Sequence, residues 1–130
     1  ERAEKFLWTF KDNFKESVRS YVEGLFLETS DKTLTEMTVK KMASALPKTA
    51  LSILKCSYQY NSIEGVKKIN QPIISINCDK FPVQLEEIKM ITKDFTVKNM
   101  HNVGHFIMLE DSKRFNELLE ESVQEILRKK

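Results

Sequence analysis

Apolar residues return at every fourth position through the first part of the chain: Phe6, Phe10, Phe14, Val18, Val22 and Phe26. Trp8, Tyr21 and Leu25 widen the same face. This spacing predicts helix across 1–27 with one apolar side. Asn13 followed by Glu16 reads as a capping box, so a break is expected near Asp12 and Asn13. The stripe is first of all a core-packing surface; its functional reading is the wall of an apolar pocket.

A polar turn follows at 29–32. Thr33 with Glu36 gives a second capping-box pattern, and Leu34, Met37, Val39, Met42, Ala43 and Leu46 give the next helix its apolar positions. Pro47 suits the first turn of a third helix, where its missing N–H costs nothing. Ala50, Leu51, Ile53, Leu54 and Tyr58 form the expected buried side of that helix, which ends near Tyr60 and Asn61. Residues 62–71 make a short amphipathic stretch and a polar connection.

The pattern changes at Gln71-Pro72. Ile73-Ile74-Ser75-Ile76-Asn77-Cys78 is short, β-branched and largely apolar, as expected of a parallel strand buried on both faces. Val83 to Ile91 returns to helical spacing, and Phe95 to Met100 reads as a second strand. The last helix is expected over about Ser112 to Arg128, with Phe115, Leu118, Leu119, Val123, Ile126 and Leu127 inward. The fold class is therefore α/β. A helical region spans 1–61, and 62–130 carries a β-α-β-α piece of a parallel sheet.

Composition narrows the function. The chain has 130 residues, 41% hydrophobic and 31% charged, with a net charge of +2 and the two signs interspersed. That describes a soluble globular protein, and it lacks the clustered basic face of a nucleic-acid binder. No apolar run approaches a membrane span, and no signal peptide is visible. Cys56 and Cys78 are too few for a disulfide framework or a zinc cluster, so a cytoplasmic setting is expected. The only glycines are Gly24, Gly65 and Gly104. Gly-rich phosphate loops need several glycines close together and a Gly-x-Ser-x-Gly nucleophile elbow needs two four positions apart, so these widely separated glycines exclude both from residues 1–130.

Chemistry concentrates at the ends of the two strands. In a β-α-β unit the strands are parallel and usually adjacent, so both end at one edge, roughly 5 Å apart. Asp79 follows the first strand, and His105 lies on the loop after the second. There an imidazole can act as general base and acid. A carboxylate at its Nδ1 would fix the tautomer and stabilise the imidazolium. We therefore expect Asp79 within hydrogen-bond reach of His105, with Gly104 allowing a tight turn just before the imidazole. His101 and His105 are four apart, but they sit in a loop with no third ligand nearby, which argues against a metal. Cys78 beside Asp79 reads as an inert buried thiol.

Two segments resemble the α/β-hydrolase superfamily. They are Gln71-Pro72-Ile73-Ile74-Ser75-Ile76-Asn77-Cys78-Asp79 and Gly104-His105-Phe106-Ile107-Met108-Leu109-Glu110, the latter followed by Asp111-Ser112-Lys113-Arg114-Phe115-Asn116. The helices before residue 62 resemble the cap that members insert before their last two strands. The resemblance thus spans the chain and is most specific over 99–116. It implies an incomplete α/β-hydrolase fold: a cap over 1–61 and the C-terminal portion of the core over 62–130. It also implies a Ser-Asp-His mechanism on an ester, thioester, amide or related acyl substrate. His105 would be base then acid, Asp79 the orienting carboxylate, and no cofactor would be needed.

There are departures. Many members carry Gly-x-x-Asp after the strand, whereas Asp79 directly follows Cys78 and Phe81 stands where the commoner spacing puts the acid. Asp94 and Glu110 are the rival carboxylates: Asp94 precedes its strand, and Glu110 suits a cap or ion pair of the last helix. None of Ser17, Ser20, Ser30, Ser44, Ser52, Ser57, Ser62 or Ser75 has the elbow's glycines, and two strands are too few for the family's sheet. The first residue is Glu1. The expectation is the C-terminal portion of a longer enzyme with its nucleophile elsewhere. An Asp nucleophile would shift the reaction to epoxides or halides. The expected partners are the missing N-terminal half, a hydrophobic small-molecule substrate suggested by Phe6, Phe10, Phe14 and Met37, and a homo-oligomer formed through bare strand edges. Neither nucleic acid nor a membrane is expected as a partner. The alternative is a non-catalytic binding or interaction module of the same fold.

Overall fold

In the computed structural model, residues 9–10, 12–92 and 94–129 are described. The expectations for Phe6 and Trp8 lie outside them. The chain divides into two compact units, Glu1–Asn61 and Ser62–Lys130.

The first unit holds helices α1 (Phe14–Leu25), α2 (Lys32–Ala43) and α3 (Pro47–Gln59). Helix α1 starts where its cap dictates: the Asn13 side chain accepts from the Glu16 N–H at 3.3 Å. Val18 and Val22 are its buried residues, and Phe26 is buried just past its end. Helix α2 begins one residue before Thr33. Its cap is Asp31, whose carboxylate accepts from the Thr33 N–H at 2.7 Å. The expected capping box is displaced because Asp is the stronger cap and stands ahead of Thr33. Thr35 and Thr38 are buried, and their hydroxyls donate to the Asp31 and Leu34 carbonyls, so neither is left unsatisfied. Arg19 on α1 reaches Glu36 on α2, Nη2 to Oε2 at 3.1 Å, and ties the two helices together. Helix α3 opens on Pro47 as expected, yet none of its residues is fully buried, and Ile53 and Tyr58 are exposed. Met37, expected on the inner face of α2, is exposed as well.

The second unit runs α4 (Ser62–Val66), β1 (Ile73–Cys78), α5 (Leu85–Lys89), β2 (Phe95–Met100), α6 (Ile107–Glu110) and α7 (Ser112–Arg128). Strands β1 and β2 are parallel neighbours, in register from Ile73 opposite Phe95 to Cys78 opposite Met100. This is a mixed α/β arrangement with a two-stranded parallel sheet. Helix α5 is shorter than its hydrophobic spacing suggests, and the one-turn α6 goes beyond it. Helix α7 is capped by Asp111, which accepts from the Arg114 N–H at 3.0 Å.

The core of this unit is Cys78, Met100, Val103, Ile107 and Leu118, with Ile76 and Phe115 packed against it. It sits at the carboxyl ends of the strands. The rest of β1 is half-buried rather than covered on both faces. Leu119, Val123 and Leu127 of α7, expected inward, are exposed. The reason is geometric. Seventeen helical residues extend about 25 Å, whereas two strands present a sheet only about 10 Å wide. Two strands cannot cover every apolar position of such a helix. Among the described residues, no helix is long and apolar enough to cross a membrane.

Candidate functional site

Parallel register explains what the strand ends bring together. Cys78 pairs with Met100, so Asp79 and His101 are the next residues along the same two strands. Neighbouring strands are about 4.8 Å apart, and the two side chains meet: His101 Nδ1 lies 2.6 Å from Asp79 Oδ2. An ionised carboxylate can only accept, so Nδ1 carries the proton and Nε2 is left as the basic nitrogen. This is the orientation in which a carboxylate sets an imidazole to work as a base. Both side chains remain well exposed, Asp79 at 51% and His101 at 72%.

The expected contact between Asp79 and His105 is not formed. His105 is exposed, and its ring stands edge-on to Phe81 at 5.6 Å between centroids and to Phe106 at 5.3 Å. The register places His101 directly beside Asp79, whereas His105 comes four residues later, after the loop has begun to turn. The sequence weighed His101 only as a metal ligand and missed this pairing. Counting both strands from their last hydrogen-bonded pair would have found it. The turn also has a different origin from the one expected. Gly104 does not have positive φ; the left-handed residue is Asn102, at φ 60°, a conformation Asn tolerates well.

The loops are anchored at several points. Asn77 Nδ2 donates to the Phe81 carbonyl at 2.6 Å and closes the loop that carries Asp79. Lys80 Nζ lies 5.9 Å from the centre of the Phe81 ring. Val103 and Ile107, buried in the core, flank His105 along the chain. The rival acid Asp94 lies just before β2, at the opposite edge, and is held by Lys129 Nζ at 2.8 Å. Cys78 is a free, buried thiol. Among the described residues, no group of three His, Cys, Asp or Glu side chains could hold a metal ion.

The helical unit has a pocket of its own, about 370 Å³, between α1 and α3. Phe10, Phe14, Val18, Ala50, Ile53 and Leu54 line it, and Thr49 is one of few polar side chains there. Tyr21 also borders it, and burial, followed by the nearby Tyr58, pushes the Tyr21 phenol above its ordinary value. Phe10 and Phe14 thus form a pocket wall, whereas Met37 does not. Compared with models of known protein families the sequence matches none, and a comparison with curated proteins finds no match either.

Proposed function

We propose that this chain is the C-terminal portion of an α/β-hydrolase, with residues 1–61 as its cap and 62–130 completing its core. The supporting observation is a carboxylate–imidazole pair at the carboxyl edge of two adjacent parallel strands, with a second imidazole on the same loop. Ligands of open parallel sheets gather at that edge. Two further features fit an incomplete sheet. Among the described residues each strand has a single neighbour, and Leu119, Val123 and Leu127 of α7 are exposed.

The reaction is acyl transfer from an ester, thioester, amide or related compound. A serine from outside residues 1–130 attacks the acyl carbon while His105 takes the hydroxyl proton. His105 then passes that proton to the departing alcohol, thiol or amine. Water, deprotonated by His105, releases the acid and frees the serine. Asp79, which is paired with His101 in this structure, would turn to the His105 imidazole in the assembled site, orient it and stabilise its charged form. The apolar pocket of the helical unit suits a hydrophobic acyl or alcohol group.

A non-catalytic module of the same fold is the second reading, and one observation favours it: among the described residues no carboxylate is paired with His105, and Asp79 is paired with His101 instead. The native polypeptide separates the two. Its intact mass should exceed that of residues 1–130, and a fluorophosphonate should label a serine preceding Glu1, within Gly-x-Ser-x-Gly. A native chain of 130 residues that takes up no label would overturn the hydrolase reading.

A further inference from the structure

The hydrolase reading leaves two imidazoles for one carboxylate. We infer that His101 is a positioning residue that competes with His105 for Asp79, and that the carboxylate can pass from one to the other within the folded chain. The inference rests on the hydrolase reading for its purpose and on geometry for its substance.

Three observations carry it. Asp79 and His101 are held together by register and a single hydrogen bond, and both are more than half exposed. A pair so exposed to water is held weakly, because solvent competes for both partners. The loop that carries Asp79 already touches His105, since Phe81, two residues after Asp79, stands against the His105 ring. The backbone on both sides is fixed: Asn77 clamps the Asp79 loop, and buried Val103 and Ile107 bracket His105. Exchange therefore requires rotation of side chains and of a few loop torsions, not refolding of the unit. One Nδ1–H to carboxylate bond is replaced by another of the same kind, so no charge is created or lost. His101 holds the acid at the strand ends in the structure described. When the nucleophile-bearing half completes the site, the carboxylate moves to His105.

The ring nitrogens of the 130-residue chain test this directly. Long-range proton–nitrogen correlation spectra, recorded where both imidazoles are neutral, report which nitrogen of each ring carries the proton. In the native sequence His101 should be the Nδ1–H tautomer, and Asp79→Ala should abolish that preference. In His101→Ala, His105 should change to the Nδ1–H tautomer as its major form. The double variant His101→Ala with Asp79→Ala should reverse the change. A His101 with a purely structural role would leave the His105 tautomer unaltered. If His105 is the same in His101→Ala as in the native sequence, or if His101 does not respond to Asp79→Ala, the exchange is wrong. Either result leaves the hydrolase reading standing, because that reading fails only on the mass and labelling of the native polypeptide.

Discussion

Among the described residues of the helical unit the best buried are Val22, at 0% exposure, on α1 and Phe26, at 2%, just after it. In the α/β unit they are Cys78, at 1%, and Met100, at 2%, the last residues of two adjacent strands. The difference decides what each unit can do. Burial at the strand ends fixes the backbone just before Asp79 and His101, so polar side chains one residue further on are presented from a firm base. Burial along α1 and α2 leaves the apolar side of α3 only partly covered, and the space beside it becomes a pocket. One unit offers placed acid–base groups and the other a hydrophobic recess.

The sharpest way to break this comparison is to remove the chemistry without touching the core. If the hydrolase reading holds, His105→Ala in the active enzyme should lower kcat/KM by at least about a thousand-fold, as loss of a general base does. Its thermal melting should hardly change, because His105 is exposed. An equal loss from His101→Ala, with His105→Ala active, would transfer the base to His101.

Core truncation separates the two foundations. Phe26→Ala should cost the helical unit about 3–5 kcal/mol, and Met100→Ala should cost the α/β unit about 2–5 kcal/mol. Urea unfolding and amide hydrogen exchange measure each. Met100→Ala should also weaken the His101 tautomer preference, because it loosens the base on which the pair stands. Phe26→Ala retaining native exchange protection in α1 would show that the helical core lies elsewhere.

Filling the recess sharpens the other side. Ala50→Trp should weaken binding of a straight-chain fatty acid, measured by calorimetry, by about tenfold, the loss of a few methylene contacts. Unchanged affinity would place the ligand outside the pocket. A smaller effect, of opposite sign to His105→Ala, is expected from His101→Ala in the active enzyme if the hydrolase reading holds. Freeing Asp79 raises the competent fraction, so kcat/KM should rise about two- to five-fold, the equivalent of an exposed pair worth up to about 1 kcal/mol.

The smallest effect concerns the tie between α1 and α2. Arg19 holds the Glu36 carboxyl below its usual range by hydrogen bonding and charge. A lowered folded-state pKa contributes stability above the unfolded value and loses it as pH falls through the folded one. Glu36→Gln should therefore melt slightly lower than the native chain at neutral pH, with the gap closing in acid and in high salt. Both partners are exposed, so the gap is small.

The periodicity of this chain determined much of the local structure. Ile73–Cys78 and Phe95–Met100 are strands with the bounds their β-branched and apolar runs suggest, and Asn13 and Pro47 stand at helix starts as their chemistry requires. These depend on interactions within a few residues, which a sequence displays directly. Helix α5 is shorter than its spacing suggests, because five residues of helix are stabilised more by packing than by pattern. The exposure of Leu119, Val123 and Leu127 was not legible either, since a helical stripe says which side is apolar and not how much sheet lies beneath it.

The site divides in the same way. That an acid and a histidine share one sheet edge followed from topology, which the β-α-β pattern implies. Which histidine takes the acid was decided by register and by the loop path, because contacts across strands depend on alignment to a single residue. Cys78 opposite Met100 sets Asp79 against His101. Asn102, in the left-handed region, and buried Val103 then turn the chain so that His105 meets Phe81 instead.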